Sequence, residues 1–245
     1  MRVIGSLLWA VGLVVFFNSC FDAPHYSPVP EIDYNSLVFR KGPIVDGVKK
    51  ADTLILTINF KDGDGDLGIN SLDDEKFVNR WFFEFPDGTF ISYETKLTVP
   101  GYDTLPPLTF PYTCTNWQLA YDSINTNQLD TANTYYFQLN PNYYNIFVDI
   151  YVAQDDGTFK KFDWLNEFPT SCLVGGLNGR FPVLSKDLSR PTVQEGSIRY
   201  AMPSAGWLVT FSIKTLYIDV HIQDRAFHKS NIVSTPKFTL QSILK

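Results

Sequence analysis

Three stretches of the chain alternate apolar and polar residues with a period of two. Leu54, Leu56, Ile58 and Phe60 share one face, with Ile55, Thr57 and Asn59 on the other. Ile146, Val148, Ile150 and Val152 repeat the pattern, and so do Leu216, Ile218, Val220 and Ile222. Such alternation marks half-buried strands. Shorter runs predict strands at 81–85, 90–93, 135–139, 198–202, 208–213 and 237–240, and a short helix near 117–125. Asp87-Gly88 and Asp156-Gly157, each followed by Thr-Phe, supply hairpin turns. The expected class is all-β, an antiparallel sandwich. Residues 99–133, with Pro100, Pro106, Pro107 and Pro111, and 162–191, with Gly175, Gly176 and Gly179, are too long for ordinary loops. They read as irregular insertions in one domain over 38–245.

The N-terminus lies outside this pattern. Met1-Arg2 is followed by an apolar run from Val3 to Phe17 and then by Asn18-Ser19-Cys20. The run matches a signal-peptide core and is shorter than the roughly 20 residues of a membrane-spanning helix. A small residue before cysteine is the arrangement of a bacterial lipoprotein signal, although Phe17 and Asn18 depart from the usual lipobox. The reading is a signal peptide over 1–19, with Cys20 as the lipidated N-terminus of the mature chain. Residues 20–37, with Pro24, Pro28 and Pro30 and no periodicity, read as a tether to the outer membrane.

Charge narrows the partners. Twenty Lys and Arg against 26 Asp and Glu give a net −6, so there is no basic footprint for nucleic acid. Aromatics reach 16%. Tyr102, Tyr112, Trp117 and Tyr121 crowd the Pro-rich segment as candidate contacts for a protein or a glycan, because such side chains are large, rigid and amphipathic. No sequence motif of a hydrolase, nucleotide-binding or metalloprotease site occurs, and His25, His221 and His228 lack motif-level partners. The expectation is a protein that is not an enzyme. Cys114 and Cys172 either pair across the irregular segments or remain free thiols.

The sharpest local motif is Asp62-Gly63-Asp64-Gly65-Asp66-Leu67-Gly68. Carboxylates at alternate positions repel unless a cation sits between them, and Ca²⁺ favours hard oxygen ligands on a glycine-bearing turn. Leu67 replaces the glycine of an EF-hand, and Asn70 and Asp73 fall at positions 9 and 12 of the count. The expected cofactor is structural Ca²⁺ on Asp62, Asp64 and Asp66. Asp224 is the expected ligand from elsewhere. The rivals are a solvated turn and neutralisation by Arg225.

The run Phe60-Lys61-Asp62-Gly63-Asp64-Gly65-Asp66-Leu67-Gly68 resembles a motif of poorly characterised Bacteroidota lipoproteins. The C-terminal run from Ile222 through Asp224, Ser230 and Asn231 to Thr235 is similar to the last turn and strand of bacterial immunoglobulin-like domains. Together with Gly179-Arg180-Phe181-Pro182, these matches cover most of the mature chain. The resemblance implies an immunoglobulin-like sandwich at the cell surface or the periplasmic face of the outer membrane, and it carries no catalytic residues. The functional expectation is an accessory or scaffolding subunit of an envelope complex for β-barrel assembly, secretion or nutrient import. The alternative is a surface glycan-binding module.

Overall fold

The computed structural model describes residues 24–83, 85, 88–168, 172–173, 175–190 and 192–245. The signal segment and Cys20 lie outside the described residues. The first strands are β1 (Glu31–Arg40), β2 (Ile44–Val45), β3 (Val48–Lys49) and β4 (Asp52–Asp62). Short strands follow: β5 (Trp81–Phe82), β6 (Trp117–Gln118), β7 (Tyr135–Tyr136) and β8 (Gln138–Leu139). The remainder are β9 (Ile146–Ala153), β10 (Phe159–Lys161), β11 (Gln194–Ser204), β12 (Leu216–Ile222) and β13 (Val233–Ser234). The chain is mostly β with a few short helices. One antiparallel sheet runs β1-β4-β11 and another β10-β9-β12-β13, with small pairs β2-β3, β5-β8 and β6-β7 beside them.

The three alternating stretches are β4, β9 and β12. Their apolar rows meet in a single core that joins Leu54, Leu56 and Ile58 to Ile146, Val148, Ile150, Leu216, Ile218 and Val220. Burying each such side chain contributes roughly 1.5–3 kcal/mol. The central position of β4 follows from this row, since it pairs with β1 on one side and β11 on the other. Asp156-Gly157 forms the turn between β9 and β10, with Gly157 at φ 81°. Asp46-Gly47 makes a similar turn between β2 and β3 (φ 51° and 75°).

Several sequence expectations need correction. The tether does not extend to 37, because β1 occupies Glu31–Arg40. A bulge at Asn35, between the pairs Tyr34/Ile58 and Ser36/Thr57, shifts the inward face from Ile32 to Leu37 and Phe39. Alternation counted from either end therefore breaks in the middle. Residues 208–213 fall largely within a helix, Trp207–Phe211, whose two terminal aromatics are buried four residues apart. Ser92 caps a helix at Tyr93–Thr98 by accepting the Thr95 N–H at 3.1 Å, which ends the strand expected at 90–93. The strand expected at 81–85 is reduced to β5, and that at 135–139 is split into β7 and β8, which pair with different partners. Around 117–125 there is β6 rather than a helix, and the nearby helix is Tyr112–Thr115. In place of a strand at 237–240, Phe238 alone bridges Leu216.

The C-terminal polar run has a structural role. Side-chain oxygens of Thr235 and Ser230 accept the N–H groups of Ile218 and Ile222, each at 3.0 Å. The Asn231 amide accepts from Ile32 N–H and donates to Ile32 C=O, both at 2.8 Å, as a neighbouring strand would. These hydroxyl and amide groups satisfy backbone where regular pairing stops. Cys114 and Cys172 form a disulfide with Cα atoms 5.6 Å apart, tying the two irregular segments together. Closing its 58-residue span is worth about 4 kcal/mol in the chain-entropy model.

Candidate metal centre

Asp62 is the last residue of β4 and continues the inward row of Leu54, Leu56, Ile58 and Phe60. The period of two thus places a carboxylate at the end of the core, where it is 0% exposed. After it the chain turns sharply. Gly65 sits at φ 70°, and a Cβ there would collide with the Thr192 carbonyl, so glycine is required. The turn is held on several sides: Gly63 N–H donates to Ser27 C=O at 2.9 Å, Thr192 N–H to Asp64 C=O at 3.1 Å, and Leu184 N–H to Leu67 C=O at 3.1 Å. Leu67 is fully buried in the core, which explains why an apolar residue stands where an EF-hand has glycine.

Asp62, Asp64 and Asp66 converge, with one carboxylate oxygen from each lying within 4.8 Å of the others. Unit charges about 4 Å apart repel by roughly 1–4 kcal/mol between bulk water and a protein surface. Neither oxygen of Asp62 has a hydrogen-bond partner, and the same is true of one oxygen each on Asp64 and Asp66. The other Asp66 oxygen accepts the Ala226 N–H at 3.1 Å. Burial, reinforced by Asp64, Asp66 and Asp224, pushes the Asp62 carboxyl up to about 7, with only the nearby Gly65 amide opposing. Burial, with Asp224 and Asp64, pushes Asp66 up to about 6. None of the ion pairs among the described residues includes any of these three aspartates.

The loop after β12 meets this turn, as the two acidic segments were expected to do. Asp224, however, stands beside the trio rather than within it. Its oxygens accept the His228 N–H at 2.7 Å and pair with His228 Nδ1 at 2.9 Å. Burial raises the Asp224 carboxyl, and the His228 contacts oppose that shift. Arg225 does not neutralise the trio. It forks onto Asp73 at 2.6 and 3.1 Å and holds that carboxyl below its ordinary range, chiefly through these hydrogen bonds. Asp73, at position 12 of the motif, is therefore a salt-bridge residue. Asn70 accepts the Val183 N–H at 3.4 Å.

Gln194 has no signal in the sequence. It opens β11 directly opposite Asp62, and its side-chain Cγ and Cδ lie 3.2 and 3.3 Å from where a Gly65 Cβ would stand. Its Oε1 is buried and lacks a hydrogen-bond partner. Only the pairing of β11 with β4 brings this amide to the acidic turn.

The aromatic candidates separate. Trp117 is 1% exposed, donates its indole N–H to Pro106 C=O at 2.8 Å and packs edge-on against Tyr93 and Tyr136. It is a core residue and not a ligand contact. Tyr112 and Tyr121 are exposed, and Tyr102 is half-buried. His221 stacks on Phe147, and among the described residues no hydroxyl or thiol is hydrogen-bonded to His228.

Protein-family models, curated proteins and solved structures contain no match to this chain.

Proposed function

We propose that the chain is a non-catalytic, lipid-anchored accessory or scaffolding subunit of an envelope protein complex, held at the outer membrane through Cys20 and built on an immunoglobulin-like sandwich. The observation that supports this reading is a group of five exposed aliphatic side chains, Ile44, Val45, Val48, Val209 and Ile213, at one end of the β1-β4-β11 sheet. The N-terminal segment enters at the opposite end, where Glu31 pairs with Lys61. An 11-residue strand such as β4 spans roughly 36 Å. Beyond its far end the β2-β3 hairpin exposes Ile44 (74%), Val45 and Val48. Ser204 closes β11 opposite Asp52, and the helix Trp207–Phe211 that follows exposes Val209, with Ile213 (93%) just beyond it. Aliphatic side chains grouped in this way are a feature of protein–protein contact sites. A subunit anchored at one end and adhesive at the other is suited to bridging.

The test is affinity recovery of the tagged full-length chain from detergent-solubilised envelopes. A stoichiometric membrane partner is expected, with its recovery lost in Ile44→Asp/Val48→Asp. Recovery only as a free monomer overturns the reading. Labelled fatty acid should be incorporated by the wild type and not by Cys20→Ser.

A further inference from the structure

We infer that the acidic turn is a calcium site whose protein ligands are Asp62, Asp64, Asp66 and the side-chain amide oxygen of Gln194. The inference is independent of the scaffold reading. It begins with Asp62, fully buried with both oxygens unpartnered. A buried carboxylate without a hydrogen bond or a counter-charge is among the least favourable groups a protein can contain. Here it is not isolated. Five buried oxygens lack partners in this region: both of Asp62 and one each of Asp64, Asp66 and Gln194.

The donor chemistry selects the ion. All five atoms are hard oxygens, four from carboxylates and one from a neutral amide, with no nitrogen or sulfur among them. That set suits Ca²⁺ or Mg²⁺ rather than a softer transition metal. The number of protein oxygens favours Ca²⁺, because Mg²⁺ keeps several of its waters and is held by only one or two carboxylates. Ligands on opposite sides of Ca²⁺, bound at 2.3–2.6 Å, stand about 4.6–5.2 Å apart. The aspartate oxygens all lie within 4.8 Å of one another, close enough to share one calcium shell. Asp62 has both oxygens available for bidentate binding, and water completes a shell of six to eight. Asp224 belongs to the surroundings: its oxygens are engaged by His228 while its charge still acts on Asp62 and Asp66.

Such an ion would join segments far apart in sequence. The turn contacts Ser27, Thr192 and Ala226 through single hydrogen bonds, and Gln194 would add a direct ligand from β11. Calcium would therefore tie the end of β4 to the start of β11, beside the contact that already links the turn to the β12 loop.

The full-length chain in detergent, stripped with EGTA, is titrated separately with CaCl₂ and MgCl₂ by calorimetry, with thermal melting in parallel. One Ca²⁺ per chain is expected, with a dissociation constant on the order of 10⁻⁴ M and Mg²⁺ at least about tenfold weaker. Millimolar Ca²⁺ should raise the melting temperature and EGTA should reverse the rise. Asp64→Asn and Gln194→Ala should each weaken binding by roughly tenfold or more. Asp62→Asn should abolish the calcium response while melting higher than wild type in EGTA, a pair of effects that misfolding does not produce. Asp73→Asn should bind as wild type does. Neither heat nor a melting shift at 10 mM Ca²⁺ would overturn the site. An undiminished response in Asp64→Asn would also overturn it, and unchanged affinity in Gln194→Ala would remove Gln194 from the shell.

Discussion

Strand β4 carries a buried aspartate at each end, on the same inward row, and the two have opposite surroundings. Asp52, 1% exposed, accepts the Gly42 N–H at 2.8 Å and has the Lys49 ammonium at 3.4 Å. Asp62, 0% exposed, has no hydrogen-bond partner and faces Asp64 and Asp66. Residue type, strand and burial are the same, so the difference lies in what the neighbouring loops deliver. At Asp52 the segment from Gly42 to Lys49 brings an amide and a cation, and the carboxylate is a closed structural group. At Asp62 the turn brings more carboxylates, and among the described residues no cation pairs with it. A buried polar residue is thus informative only together with its partners.

Core deletions next to each aspartate give the largest expected effects and test whether the two ends are separate. Leu54→Ala and Leu67→Ala both remove fully buried side chains and should each cost about 2–5 kcal/mol in urea unfolding. Only Leu67→Ala, beside Asp66, should also blunt the calcium response. Equal blunting by both would mean that the ends are coupled through β4. Next come the aspartates themselves, measured in EGTA. Asp52→Ala leaves the Gly42 N–H without its acceptor and should lose roughly 1–3 kcal/mol. Asp62→Asn removes an unpaired buried charge and should gain a comparable amount, about 1–3 kcal/mol. Changes of the same sign would break the comparison.

The Arg225–Asp73 pair, at the acidic end but outside the trio, should behave as Asp52 does. Its side chains are 20% and 12% exposed, and Arg225→Met should cost about 1–2 kcal/mol at pH 7. Because the folded-state pKa of Asp73 is lowered, its contribution is complete above the unfolded value of about 3.9 and disappears as pH falls through the folded value. Wild type and Arg225→Met should therefore differ in urea midpoint at pH 7 and converge below pH 4. The smallest effect belongs to the exposed hairpin. Val48→Asp should change stability by less than about 0.5 kcal/mol, leaving loss of partner recovery as its phenotype.

The strongest strands were legible because β4, β9 and β12 bury one face each, and a one-sided strand records its burial every second residue. β1 buries a face too, yet its bulge at Asn35 shifts the record halfway along, and proline-rich flanks made it resemble a tether. The helix Trp207–Phe211 was misread because a five-residue helix shows only one i, i+4 pair, too little to establish a period. Trp117 was misplaced for another reason. Aromatic content does not distinguish a core ring from a contact ring, and here Pro106 supplies the acceptor that allows the indole to be buried.

For the acidic turn the division is sharper. Local sequence determined that three carboxylates at alternate positions converge, because glycines at 63 and 65 let the turn close on itself, and it determined that this turn ends an inward-facing strand. Only the tertiary structure decided the rest. It placed Gln194 against the turn through strand pairing and drew Arg225 to Asp73. Those outcomes depend on which segments meet across 120 residues or more of chain. Alternation and turn chemistry record a residue's own burial and backbone; they carry no record of the partner that packing brings to it.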